Sequence, residues 1–129
     1  MHIYIGGAHN GKRAYVRKVL KNQRVQWFEG ELPDEVNSNQ HFVVAGLENW
    51  LLHTDLPEQQ AIDLIVSSVK GQNAVIILTD MNRGIVPMEA AQRNLRDVCG
   101  RLYQRLILEA DEVTRIWYGL AQNLKKRGD

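Results

Sequence analysis

Apolar residues along the chain fall into short runs separated by polar, glycine-bearing segments. Ile3 and Ile5 share one face of a strand over His2–Ile5, which runs straight into the stretch Gly6–Gly11. From Lys12 to Leu20, the positions Tyr15, Val16, Val19 and Leu20 recur at helical spacing and predict a helix. Val25–Phe28 reads as a second strand. The polar stretch Glu29–Gln40, with Gly30, Pro33 and Asn37-Ser38-Asn39, reads as a loop. Phe42–Ala45 is a third strand. Pro57 opens a helix whose apolar face is Ala61, Ile62, Ile65, Val66 and Val69, with Gly71 placed to end it. Ala74–Leu78 is apolar at every position, as expected of a strand buried on both faces at the centre of a parallel sheet. Pro87 begins the longest helix, to about Glu109, with Ala91, Leu95, Val98, Leu102 and Leu106 as its buried stripe. Glu112–Tyr118 is the last strand.

Strands alternating with helices over short connections predict an α/β fold: an open parallel sheet of the P-loop type with helices on both faces. The 129 residues suit one domain, 1–129, with a single core. The long helix offers more apolar surface than so small a domain easily buries, which predicts a homo-oligomer.

Composition narrows the class. Sixteen basic residues against fifteen acidic ones leave a net charge of +1, so no electrostatic footprint for nucleic acid is present. The one concentrated charge is Lys125-Lys126-Arg127, read as a solvated helix end. A lone cysteine, Cys99, fits a reducing compartment and sits on the stripe with Leu95 and Leu102, a core position rather than a nucleophile. No leader is visible and no apolar run approaches the roughly 18 residues of a membrane span, so a soluble, cytoplasmic protein is expected. The histidines His2, His9, His41 and His53 are dispersed, and no spacing matches a metal site.

The candidate chemistry lies in Gly6-Gly7-Ala8-His9-Asn10-Gly11-Lys12-Arg13. The spacing is that of a phosphate-binding loop between a strand and a helix. Its glycines let backbone N–H groups turn toward a phosphate, and its lysine reaches the outer phosphates. A plain strand-to-helix turn has the same spacing. The final position departs from the pattern: a Ser or Thr hydroxyl there would hold Mg²⁺, and Arg13 cannot. Two cations at a helix N-terminus break a local rule, which points to a compensating anion. Asp80, ending the central strand, stands where an open parallel sheet has its ligand crevice, although an aspartate that starts a turn would look the same. Arg93, Asp97 and Arg101 read as a salt-bridged ladder on one helix face, and mid-helix Gly100 as a mark of close packing.

A second block is more specific: Gly84-Ile85-Val86-Pro87, then Arg93, Leu95-Arg96-Asp97, Gly100, Gln104, then Ala110-Asp111-Glu112-Val113, Gly119 and Leu124-Lys125. In order and spacing it resembles the adenosylcobinamide kinase / adenosylcobinamide-phosphate guanylyltransferase family, loosely over 1–20 and closely over 74–125. Leu95 stands for a phenylalanine of that family and Tyr103 for an asparagine. The resemblance implies a nucleotide-binding fold, a kinase using GTP or ATP, guanylyl transfer through a histidine, a corrinoid substrate and a trimer. It implies binding residues Gly6, Gly7, Ala8, His9, Asn10, Gly11, Lys12 and Arg13, with Lys12 and Asp80 as the catalytic pair.

The chain departs from the family in three ways, and two of them, the lost acid and the lost hydroxyl, fall together on the placing of Mg²⁺. No histidine lies in the compressed segment Glu29–Gln40, and neither His41 nor His53 matches the guanylylated position. The family's acidic residue near the metal is replaced by Ala45, followed by Gly46. Arg13 replaces the metal-binding serine. The expected protein is a degenerate family member that keeps nucleotide or phosphate binding. Guanylyl transfer is lost, Mg²⁺ is disfavoured, and kinase chemistry depends on Asp80 or the substrate to complete the metal site. The alternative is a non-catalytic oligomeric scaffold or regulator of corrinoid metabolism.

Overall fold

The computed structural model describes residues 1–8, 10–34, 40–81 and 89–126. Its elements are β1 (His2–Gly6), α1 (Lys12–Val19), β2 (Gln26–Glu29), β3 (Phe42–Ala45), α2 (Leu47–His53), α3 (Glu58–Val69), β4 (Ala74–Thr79), α4 (Ala90–Glu109), β5 (Glu112–Trp117) and β6 (Leu120–Lys126). They form an α/β domain around one sheet of order β2-β3-β4-β1-β5-β6. The first five strands are mutually parallel, and β6 runs antiparallel to β5.

The unbroken apolar run of β4 has the cause the sequence suggests. Ala74, Ile76 and Leu78 face one core, while Val75 and Ile77 face another across the sheet. The larger core lies under α2, α3 and α4, with Leu47, Ile65 and Leu102 fully buried in it. The smaller lies under α1 and holds Tyr4, Val16, Val43, Ala45 and Ile116. Helices therefore cover both faces. Tyr103, from α4, donates its hydroxyl to the Thr79 carbonyl at 2.8 Å and ties that helix to the exit of β4. Cys99 is buried beside it, and burial pushes its thiol pKa up to about 11, leaving it inert as a nucleophile.

Several expectations need correction. The α4 stripe buries Val98, Cys99, Leu102, Tyr103 and Leu106, but Ala91 is exposed and Leu95 only partly covered. Its apolar surface is thus largely absorbed within the chain. The turn of Pro87 lies outside the described residues, and a capping box between Glu89 and Gln92 starts the helix. Arg101 does not complete a ladder with Asp97. Its guanidinium forks onto Glu58 of α3 at 2.6 and 2.7 Å, while Arg105 pairs with Asp63 on the same helix. Two elements are additional to the sequence reading: the short helix α2 and the edge strand β6. Lys125 and Lys126 lie on that strand rather than on a helix end. Lys125 nonetheless serves a helix end: its Nζ donates to the carbonyls of Ile107 and Leu108, in the last turn of α4.

Gly100 marks no close packing, because a Cβ built there meets nothing within 4 Å. Gly100→Ala should therefore stabilise the protein by about 0.5–1 kcal/mol, the helical cost of glycine against alanine. Urea denaturation of the two proteins checks it, with a rise in midpoint at unchanged slope expected.

Candidate functional site

The exit of β1 is crowded by backbone on both sides. Gly6 O accepts the Asp80 N–H at 2.8 Å from the β4 side, and a Cβ on Gly6 would stand 2.3 Å from the Ile116 carbonyl oxygen of β5. Glycine is required there. The chain then turns and enters α1 through Gly11, at φ 82°, a left-handed conformation that glycine adopts without strain. The β5–β6 turn closes over this loop. Gly119 N–H donates to the Asn10 carbonyl at 3.0 Å.

Lys12 is the first residue of α1 and is 4% exposed. Its Nζ donates to the Gly7 carbonyl at 2.7 Å, so the side chain folds back along its own loop. Desolvation, then the neighbouring Arg13 charge, lowers its pKa, while the carboxylates of Glu48 and Asp80 act in the opposite sense. Of the loop residues singled out above, Gly6, Gly7, Ala8, Asn10, Gly11, Lys12 and Arg13 are all brought to the exit of β1, and His9 lies outside the described residues. Asp80 is brought close enough to Lys12 for its charge to act there.

Arg13 turns away from the loop. Its Nε and Nη2 donate to the two carboxylate oxygens of Glu29, each at 2.8 Å, which joins α1 to the end of β2. The compensating anion at this helix N-terminus is thus, for Arg13, a side chain of the same protein. The Arg13 bonds hold the Glu29 carboxyl below the usual carboxylate range, with a smaller contribution from the Trp27 indole N–H. Gly46 begins α2 at φ 72°, and a Cβ there would meet Glu29 Oε2 at 2.7 Å. Ala45, expected from the resemblance to stand where the family has an acid, is fully buried in the core under α1. A carboxylate does come close from the next turn: Glu48, in the first turn of α2, acts electrostatically on both Lys12 and Arg13.

Sequence reasoning missed Glu29, Glu48 and Tyr103. A usable signal was present for Glu48: Gly46 follows a buried strand, and Leu47, Trp50 and Leu51 then recur at helical spacing, which marks a helix start with an acid in its first turn.

Residues 32–124 match the model of the family described as cobinamide kinase / cobinamide phosphate guanyltransferase. The chain belongs to that family. The matched region holds β3 to β5 and most of β6, with Glu48, Asp80 and Gly119, whereas the glycine loop precedes it. A relative is the bifunctional adenosylcobalamin biosynthesis protein CobU of Salmonella typhimurium, 37% identical over 51 residues, which are 40% of this chain and 28% of that protein. The aligned segment is thus under a third of that relative's length. A solved structure from Pyrococcus horikoshii OT3 superposes over the whole chain and 74% of its own at TM-score 0.45 and 9% identity. Gly119 lies within the matched region and bonds through its N–H to the glycine loop. The Gly84–Pro87 motif lies outside the described residues. Among the described residues no group of three or more His, Cys, Asp or Glu side chains could hold a metal, and no helix is long and apolar enough to cross a membrane.

The Arg13–Glu29 pair is partly open to solvent, so Glu29→Gln should cost no more than about 1 kcal/mol at neutral pH. Because the folded-state pKa of Glu29 is depressed, its contribution is full above the ordinary carboxylate pKa and fades as pH falls through the lower folded value. Urea midpoints of the two proteins should differ at pH 7 and converge as the pH is taken below the ordinary carboxylate range.

Proposed function

We propose that this chain is a degenerate cobinamide kinase/guanyltransferase-like protein of cobalamin biosynthesis that binds a nucleotide, GTP or ATP, through its phosphates at the Gly6–Arg13 loop. The observation that carries the reading is Lys12: a buried cation at a helix N-terminus, folded against the Gly7 carbonyl and ready to exchange that acceptor for a phosphate oxygen. The loop N–H groups and the helix dipole favour the same anion.

Mg²⁺ contributes little on this reading. Arg13 offers no hydroxyl and is committed to Glu29, and Ala45 offers no carboxylate. Kinase chemistry rests on Lys12 and on Asp80 with Glu48, which would have to place a metal from two carboxylates and the substrate. Guanylyl transfer has no matching histidine: His53 Nδ1 lies 2.9 Å from the Asn49 carbonyl at the end of α2, and His41 precedes β3 at the opposite end of the strand. A corrinoid substrate and a trimeric assembly come from the family resemblance and are part of the proposal.

Isothermal titration with GTP and ATP, with and without Mg²⁺, tests it. Weak binding that Mg²⁺ does not tighten and that Lys12→Ala abolishes is expected. Tight, turned-over Mg²⁺–GTP would make the protein a working kinase, and no anion binding at all would favour the scaffold. Light scattering at micromolar concentration should give three times the chain mass, and a monomer would remove the assembly from the reading.

A further inference from the structure

The glycine loop accounts for phosphates and leaves the rest of a nucleotide without a seat. The β5–β6 hairpin, which touches that loop through the Gly119–Asn10 bond, carries aromatic rings that packing among the described residues does not cover. Tyr118 at its turn has φ 49°, the one non-glycine residue in the left-handed region among the described residues. With Gly119 at φ 76° it makes the two-residue turn between the paired Trp117 and Leu120, where a hairpin calls for positive φ at both positions. Trp117 and Tyr118 contact each other edge to face at a centroid distance of 5.3 Å, yet they are 52% and 74% exposed. Burial within the chain does not explain two aromatic rings there.

Beside Trp117 is a cavity of about 300 Å³ lined by Arg115, Trp117, Leu120, Ala121 and Gln122. Its wall is an apolar surface with a few polar groups, the composition of a small-molecule site. Arg115 is half-buried, and among the described residues no carboxylate or hydrogen-bonding side chain partners its guanidinium.

We infer that this cavity is the base subsite of the nucleotide whose phosphates occupy the glycine loop: a purine ring stacks on Trp117, and Arg115 and Gln122 hydrogen-bond its nitrogen and carbonyl edge. The inference rests on the nucleotide reading above and adds the residues that would hold the base. Aromatic rings suit the flat face of a base, and an arginine fork suits the acceptors along a purine edge. A protein partner would use the same exposed rings. The concavity, the unpartnered arginine within it and the direct bond from this hairpin to the phosphate loop favour the small ligand.

Titrations of GTP, guanosine and inorganic tripolyphosphate into wild type, Trp117→Ala, Trp117→Phe and Lys12→Ala separate the two halves of the site. Trp117→Ala should weaken GTP about tenfold, the scale of one base–aromatic stack, and leave tripolyphosphate unchanged. Trp117→Phe should keep most of the GTP affinity, and Lys12→Ala should lose tripolyphosphate. If Trp117→Ala leaves GTP binding unchanged, or weakens GTP and tripolyphosphate equally, the base subsite is wrong. If it dissociates an oligomer without touching GTP affinity, the rings form an interface and the subsite is equally wrong. If wild type binds guanosine in a Trp117-dependent way but no tripolyphosphate, the subsite stands and the phosphate reading falls. If it binds none of the three probes, both fall.

Discussion

A side chain at position 6 would have to occupy the space of the Ile116 carbonyl. That exclusion sets the end of β1 against β5, while the Asp80 N–H holds it against β4 from the other side. Everything proposed for the site follows from this three-strand clamp. The loop after Gly6 starts from a fixed point, so Gly11 can turn it into α1 and Lys12 arrives buried beside the Gly7 carbonyl. Asp80 comes from one neighbour of the clamp, and the hairpin with Trp117 and Tyr118 comes from the other. A parallel sheet gathers its functional groups at the carboxyl ends of its strands, and here the gathering is done by backbone crowding at a single glycine.

The charges around the clamp divide into two sets with different degrees of freedom. Arg13 and Glu29 satisfy each other through two hydrogen bonds, and with Trp27 and the overlying Arg17 they hold β2 to α1. Lys12 donates to a neutral carbonyl among the described residues, with the carboxylates of Glu48 and Asp80 acting on it electrostatically. On the proposed reading, an incoming phosphate would compete with one carbonyl for Lys12, whereas it would have to displace a carboxylate fork to recruit Arg13. Arg13 is thus a strut between secondary structures, tying α1 to the end of β2.

The sheet strands were legible because their signals are local: Ala74–Thr79 is apolar throughout, and its two-sided burial follows directly. The glycine loop was legible because its spacing is short and its flanking elements are strongly patterned. Glu29 was hidden because its partner is 16 positions away and the sequence carries no mark of the pairing. The strand β6 was hidden because every one of its residues is exposed, so no alternation of apolar and polar positions announces it. Lys125 illustrates a partial success. A basic residue near a helix C-terminus was the correct physics, but the helix is α4 and the lysine reaches it from a strand. Gly100 misled because a glycine in a helix usually has a packing reason, and here the space beside it is empty.

The register between β5 and β6 breaks between Val113 and Thr114: Val113 pairs with Lys125 and Thr114 with Asn123, leaving Leu124 as an extra residue on β6. This bulge lies on the outermost strand of the sheet. A foreign strand approaching that edge finds its ladder interrupted at Leu124, after the regular stretch Leu120–Asn123, and it meets the Lys126 charge at the strand's end. An open sheet with an apolar edge is a template for runaway aggregation. One surplus leucine in the wrong register makes this edge a poor template, so the chain can display aromatic rings at its rim and still resist polymerising through its backbone.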